Sequence, residues 1–487
     1  MILGITAQNH DASMALIDGD CIVWAAHSER YSRKKNDKLI HPDMVDEMFE
    51  HGFPTEAVWF EKPLLKSLRR IYSGERPVYV SPKTHLNDLE LYNIPVHYVG
   101  HHQSHAAAGY YTSGFDSAAV VVVDAIGEWD TVSIWEGRGT ELKKRWGIHY
   151  PNSIGLFYSA ITQWCGLKPN EEEYILMGMA AYGEPKYVNE LRETFFSEWN
   201  LPNFKTRHNL HRGCRWWKPM DPAATKYDIA ASAQALVEDY MVALTSYARL
   251  LVSSSNLVLQ GGVALNCVAN TLVANSGAFK RMWVMPNPGD AGSAVGAVAA
   301  YTKTHLKWET PFLGTDILRE LDIDAVVKEL MAGRVVAVAN GRAEFGPRAL
   351  GNRSLLCDPR GTAAKDRMNA IKKRQNFRPF APAVLEEHAE AYFAMPSIVP
   401  ASPYMSYVVR CRQPGLIPGV VHQDGTSRVQ TVSAADNPTF RKLLEAWYAA
   451  SGCPILMNTS LNIKGEPLVN TWADALRFQA VHKIPVY

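Results

Sequence analysis

The apolar run from Ala118 to Val123, closed by Asp124, constrains the fold of this chain more than any other feature. It falls far short of the roughly 20 residues a membrane helix requires, yet it has the length and β-branched content of a sheet strand. Shorter runs of the same kind recur: Ile2 to Ile5, the two halves of MALIDGDCIVWAA around an Asp-Gly turn, VWF at 58–60, PVYV at 77–80 and PVHYV at 95–99. Helices are predicted at 102–111 and 228–252, and a second strand–helix set at 256–303. Strands alternating with helices predict an α/β domain over residues 1–310. From 304 to 320 the periodicity lapses and Pro and Gly enter, which predicts a connection. A second domain, 320–487, restarts the pattern with helices at 324–332, 362–373 and 438–451. Its strands are expected at 334–340, 404–411, 428–432 and 454–458, an α+β mixture. No internal repeat is legible.

Composition removes several function classes. A formal net charge of +1 gives no global attraction to nucleic acid, membrane or a polyanionic partner, so only a local basic site remains open. The seven cysteines form no CxxC pair, and an odd count in a long chain is no disulfide scaffold; buried thiols in a reducing compartment are expected. The N-terminus has no basic flank before an apolar run, so no signal peptide is read there and a cytoplasmic location is expected.

The sharpest constellation is VGHHQSHAAAGYY at 99–111. His101 and His105 stand four apart where a helix begins after a strand, so both imidazoles project from one face. Such a pair is either structural or two ligands of one metal, and imidazole suits zinc or iron, whereas magnesium prefers oxygen. His102 points elsewhere. Asp124 ends its strand where a polar side chain faces a cleft. Asp290 lies in NPGDAGSAVGA, ahead of a small-residue helix, and either caps that helix or joins the ligand set. Gly261 and Gly262, in LQGGVALNCVAN, sit between a strand and a helix. Their amides can approach a ligand there and Asn266 can read a nucleoside, unless the turn is merely tight.

The second domain carries the local basic site. Arg348 and Arg353 lie in EFGPRALGNRSLL, and Lys372, Arg374 and Arg378 in NAIKKRQNFRPFAP. Arg428 lies in DGTSRVQTV, and Asn458, Thr459, Ser460 and Asn462 in MNTSLN. Guanidiniums clamp phosphate in bidentate fashion and lysine acts as a mobile point charge, so a phosphate pocket is predicted over a solvated basic face.

Together these residues resemble the carbamoyltransferase family of antibiotic-tailoring O-carbamoyltransferases and a nodulation-factor enzyme. The resemblance runs from HDASMALIDG and SERYSRKK through HHQSHAAAGYY, VVDAIGEWD, MGMAAYG, GGVALNCVAN and NPGDAGSAVGA to GRAEFGPRALGNRSLL, RPFAPAV, DGTSRVQTV and NTSLN. It implies an N-terminal domain of the actin-like ATPase (ASKHA) superfamily and a YrdC-like C-terminal domain. The latter would make carbamoyladenylate from carbamoyl phosphate and ATP. The former would transfer the carbamoyl group to a hydroxyl with the help of a metal, typically ferrous iron, with magnesium accompanying ATP.

Carried over residue by residue, the resemblance implies metal ligation by His101, His105, Asp124 and Asp290. It implies a nucleotide-contacting turn at Gly261, Gly262 and Asn266. It places Arg348, Lys372, Arg378, Arg428, Asn458 and Ser460 in the carbamoyl-phosphate and adenylate pocket. His10 and Ser13 fall in a first phosphate-facing turn, with His10 a candidate base. Three positions depart from the pattern: Ile175 where relatives commonly have lysine, Ala125 where a glycine is frequent, and Gln375 in place of a glutamate. The expected acceptor is a small molecule, nucleoside or glycan hydroxyl, with 31–45 and 207–219 as the loops to contact it. In the latter, Trp216 and Trp217 would stack on a ring, with the surrounding Arg and Lys meeting an anion. The rival readings are a sugar-kinase-like phosphotransferase and a non-catalytic nucleotide-binding regulator. The sequence sets no oligomeric state.

Overall fold

The computed structural model describes residues 1–75, 81–89, 91, 94–375 and 377–487, so the strand expected at 77–80 lies outside the described residues. The chain forms two compact units, Met1–Ser28 with Asn36–Trp308, and Glu29–Lys35 with Glu309–Tyr487. The crossing at 308–309 falls inside the expected connection. The seven residues 29–35, by contrast, leave the first unit and pack in the second.

In the first unit, β1 (Ile2–Thr6), β2 (Ser13–Asp18), β3 (Cys21–His27), β4 (Glu56–Trp59) and β5 (Val96–Tyr98) form one sheet in the order β3-β2-β1-β4-β5. β1, β2 and β3 run antiparallel as successive hairpin partners, while β1–β4 and β4–β5 are parallel. A second sheet contains β6 (Ser117–Val123), β7 (Asp130–Arg138), β8 (Glu141–His149), β11 (Asn256–Gln260) and β12 (Arg281–Val284). Its order is β8-β7-β6-β11-β12, with the same senses: an antiparallel meander, then two parallel additions. The two sheets repeat one connectivity, a duplication with no counterpart in the sequence pattern. A separate hairpin is formed by β9 (Phe196–Asn200) and β10 (Asn203–Thr206).

Val120 to Val123 of β6 are at most 1% exposed, and each contributes roughly 1.5–3 kcal/mol through burial. The helix His101–Thr112 covers this layer, the helix Ser293–Thr302 packs on the first sheet, and the two owe their close approach to small residues. A Cβ at Gly296 would stand 1.9 Å from the Ser104 carbonyl oxygen, so any side chain there would force the helices apart.

In the second unit, β14 (Val336–Ala339), β16 (Arg353–Cys357), β17 (Ala381–Leu385), β20 (Gln430–Val432) and β21 (Ile455–Ser460) build a mixed sheet ordered β14-β16-β21-β17-β20. Two two-stranded pieces join it, β13 (Phe312–Ile317) with β15 (Gly341–Glu344), and β18 (Val408–Arg410) with β19 (Thr426–Arg428). β13 places a strand within the stretch 304–320 expected as the connection. Leu443, Leu444 and Trp447 of the helix Pro438–Ser451 pack with Val326, Leu330, Val336 and Leu356 into one core. Among the described residues no helix is long and apolar enough to cross a membrane. The seven cysteines are free, six of them buried and Cys21 exposed.

Candidate functional site

The four residues read as metal ligands are brought together in the first unit: one ligand atom from each of His101, His105, Asp124 and Asp290 lies within 4.8 Å of the others. The two imidazole Nε2 atoms stand 3.2 Å apart. Asp124 Oδ2 lies 3.2 Å from His101 Nε2, and Asp290 Oδ1 lies 3.3 Å from His105 Nε2. Two facing imidazole nitrogens share at most one proton, so the remaining lone pairs of this buried set are turned toward one point. That donor set suits a divalent cation of borderline softness. Asp290 makes no cap on its helix with its side chain. His102 turns away and hydrogen-bonds Ser133 Oγ at 2.7 Å; burial and the neighbouring His101 hold its pKa well below the usual imidazole value. Burial works against charge on His101 too, but Asp290, Asp124 and Glu61 outweigh it and raise its pKa.

Buttresses that the motifs did not reveal orient these four side chains. The amide of Gly262 donates to Asp124 Oδ1 at 3.1 Å, and Asn9 Nδ2 donates to Asp290 Oδ2 at 3.0 Å. Glu128 accepts from the His101 amide at 3.0 Å, and from the Lys62 amide at 2.7 Å, at the N-terminus of the ligand-bearing helix, where a carboxylate is favoured. Glu61 faces His101 Nδ1 at 3.8 Å, beyond hydrogen-bond reach, and pairs with buried Lys66. Glu128 shares its loop with Asp124, the one hint the sequence offered; nothing there marked Asn9 or Glu61.

The turn and its neighbours need correction in part. Gly261 has φ +87°, and a Cβ would lie 2.2 Å from the Val123 carbonyl oxygen, so close passage of β6 alone requires glycine. Asn266 caps the following helix at Ala269 and exchanges two amide hydrogen bonds with Gln234, each 3.0 Å, so its side chain is already committed. Ser13 is fully buried and donates to the Ala291 carbonyl at 2.6 Å; the inward register of β2 removes it from any phosphate-facing role. His10 does sit on the loop ahead of β2, with Nδ1 2.9 Å from Asp11 Oδ2 and Nε2 3.3 Å from Asn36. Burial lowers its pKa, but Asp11, helped by Asp290 and Glu171, overrides this and raises it to about 9. A histidine so held favours its cationic form, which suits an anion. Ile175 is 1% exposed and belongs to the core.

In the second unit Lys372 ends the helix Thr362–Lys372 and is buried, with Nζ donating to Ser460 Oγ at 3.0 Å and Asn462 Oδ1 at 2.6 Å. Burial, then Arg374, Arg378 and Lys35, drive its pKa well below the usual lysine value. Lys35 arrives with the 29–35 segment, which places this part of the proposed acceptor loop with the basic site. Arg348 lies half-buried in a loop tied down by Glu344, whose Oε1 accepts the amides of Leu350, Asn352 and Arg353. Arg428 ends β19, its charge acting on His422. One expected contributor, Arg353, is structural. Arg353 is fully buried and donates to the carbonyls of Asn340, Gly341, Asn352, Asn470 and Thr315. Asn458 donates to the Ala349 carbonyl and to Gln430.

Residues 79–299 match the model of the carbamoyltransferase N-terminus, and residues 327–487 that of the carbamoyltransferase C-terminus. The uncharacterized protein sll1178 of Synechocystis sp. is 34% identical, the match covering 98% of this chain and 93% of that one. Nodulation protein NolO of Bradyrhizobium diazoefficiens is 34% identical over 78% of this chain and 75% of its own. A 3'-hydroxymethylcephem-O-carbamoyltransferase of Amycolatopsis lactamdurans is 27% identical over 98% and 96%. Among solved structures, full-length HypF in its phosphate- and nucleotide-bound form covers 62% of this chain and 55% of its own at 13% identity and a TM-score of 0.37, too distant to carry an argument. Matched over both halves and by relatives along nearly its whole length, the chain belongs to the carbamoyltransferase family.

Proposed function

We propose that the chain is an ATP-dependent O-carbamoyltransferase that makes carbamoyladenylate from carbamoyl phosphate and ATP in its second unit. Its first unit then transfers the carbamoyl group to an acceptor hydroxyl. The observation that carries the reading is Lys372, a buried amine whose surroundings supply guanidiniums and an ammonium in excess of carboxylates. Such a pocket is stabilised by an anion, and an anion arriving there favours the charged form of the lysine. In the proposed reaction carbamoyl phosphate takes up water to give carbamate and phosphate. A carbamate oxygen then attacks the α-phosphorus of ATP and the bond to pyrophosphate breaks. Lys372, Arg378, Arg348 and Arg428 would hold the charge that develops on the phosphoryl oxygens.

In the first unit the acceptor oxygen attacks the carbamoyl carbon, AMP departs and the hydroxyl proton passes to a base. His101, His105, Asp124 and Asp290 would hold a divalent metal, ferrous iron on the family resemblance. Such an ion, when bound, supplies Lewis acidity toward phosphate and carbonyl oxygens. Asn9 and Gly262 keep the two carboxylates aimed. His10, cationic beside Asp11, offers a charge for the adenylate phosphate. The duplicated sheet of the first unit fits the actin-like ATPase architecture that the resemblance implies.

The test is to incubate the protein with ATP, carbamoyl phosphate and ferrous iron and identify the adenine product by chromatography. Carbamoyladenylate, or AMP with pyrophosphate, formed only with carbamoyl phosphate present, is the expected result. ADP with intact carbamoyl phosphate overturns it in favour of a kinase, and ATP binding without turnover in favour of a regulator.

A further inference from the structure

The helix Pro63–Tyr72 is turned inside out. Its charged residues Lys66 and Arg69 are buried, whereas Leu64, Leu68, Ile71 and Tyr72 are 49–71% exposed. An amphipathic helix ordinarily buries its apolar stripe, so the inverted arrangement needs a reason. Lys66 accounts for itself by pairing with Glu61 behind the ligand His101. At the other end the helix assembles a surface that the mechanism above does not use. Tyr72 lies 5.5 Å from the Trp129 ring and 6.4 Å from that of Tyr150, centroid to centroid. The Arg69 guanidinium sits 5.7 Å from the Tyr150 centroid, and the His211 ring packs edge-on against the same tyrosine at 6.2 Å.

Charge on this surface is unbalanced. One carboxylate, Glu75, meets Arg69 at 2.6 Å, His211 at 3.3 Å and Arg70 at 3.8 Å, and also accepts from Ser73. Arg212 adds a further exposed guanidinium beside Gly74, with no ion pair among the described residues. Burial lowers the His211 pKa, and Arg69, Arg212 and Arg70 push it further down against the pull of Glu75. Flat rings and surplus guanidiniums side by side are the means by which proteins hold an anion attached to a ring.

Position ties the surface to the metal-ligand cluster. Trp129 follows Glu128, which binds the His101 amide, and its carbonyl accepts from the Tyr150 amide at 2.8 Å. The helix starts at Pro63, just past the Lys62 amide that Glu128 also binds, and Tyr72 lies nine residues on. At about 1.5 Å per residue, Tyr72 stands roughly 14 Å along the helix from Pro63.

We infer that Tyr72, Trp129 and Arg212, backed from beneath by buried Tyr150 and Arg69, form the acceptor subsite. The acceptor class is one that carries a phosphate or carboxylate next to a ring, remote from the hydroxyl that is carbamoylated. The inference rests on the transferase reading and narrows its acceptor.

The test uses calorimetric titration of the full chain with 4-nitrophenyl phosphate, 4-nitrobenzoate and the uncharged 4-nitrophenyl β-D-glucoside. At least one anionic probe is expected to bind roughly tenfold more tightly than the glucoside, the scale of a charged contact, and the tighter of the two identifies the acceptor's anion. Tyr72→Ala and Arg212→Glu should each weaken that binding by about fivefold or more. Lys280→Glu, the same charge change on the loop entering β12, should leave it unaltered. Equal affinity for all three probes, or anion binding unmoved by both site variants, overturns the inference. Pyrophosphate release from ATP and carbamoyl phosphate is measured in the same proteins. Its absence from the unaltered chain sinks the transferase reading, while the titrations still judge the subsite.

Discussion

His101 and Lys372 are both buried nitrogen bases, and their surroundings push them in opposite directions. Around His101 stand Asp290, Asp124 and Glu61, which favour positive charge; around Lys372 stand Arg374, Arg378 and Lys35, which oppose it. Burial acts alike on the two, so the difference lies in the neighbours and reports what each site is built to receive. The first site collects lone pairs and wants a cation. The second collects N–H donors and wants an anion. A single chain thus holds two electrostatic opposites, each costly to keep unliganded.

The contrast is broken most sharply at the ligands themselves. His105→Ala should weaken ferrous-ion binding by on the order of 10³, about 4 kcal/mol, without altering pyrophosphate release from ATP and carbamoyl phosphate. Calorimetry and a pyrophosphate assay on one preparation check both halves. Lys372→Ala should do the reverse, slowing pyrophosphate release by about 10²–10³ while metal affinity stays as it was. If either substitution disabled both activities, the two sites would not be the independent opposites described here. A smaller effect is expected one layer out. Asn9→Ala releases Asp290 Oδ2 and should cost about 10–100-fold in metal affinity, read by competition with a chelator of known strength.

The smallest effect is on pH dependence. His10 should titrate in NMR with a midpoint at about 9, against 6.5 for an ordinary histidine. Because the folded value exceeds the unfolded one, the stabilisation from its pairing with Asp11 is complete below pH 6.5. It fades as pH climbs through 9. In Asp11→Asn the principal carboxylate is gone and burial pulls the midpoint down toward neutrality, flattening that stretch of the stability curve.

Much of the site was legible because chemistry that needs fixed residue types leaves spaced motifs. The His101/His105 pair and the strand-ending Asp124 were readable for that reason, as was the clustering of Lys372 with Ser460. What stayed hidden depends on tertiary approach. Asn9 and Asp290 are 281 positions apart, and no local pattern links them. The type of a residue also misled where its hydrogen bonds run inward. Arg353 looks like a phosphate clamp in a Gly-rich loop but binds five carbonyls, and Asn266 looks like a base reader but caps a helix. Ala125 departs from a frequent glycine without strain, since its φ is not positive. Topology was legible strand by strand, yet the repeated sheet was not, because equal connectivity does not demand equal side chains.

The return of residues 29–35 to the second unit has a consequence in time. This segment leaves the ribosome about 275 residues before the partners that begin at Glu309, an interval of roughly 15–55 s at 5–20 residues per second. Throughout that interval Arg30 and Arg33 lack the carbonyls of Gly346, Pro467 and Leu468 to which they will bind. Synthesis of Leu468 therefore gates completion of these contacts, and a fragment beginning at Glu309 would be born without the 29–35 segment.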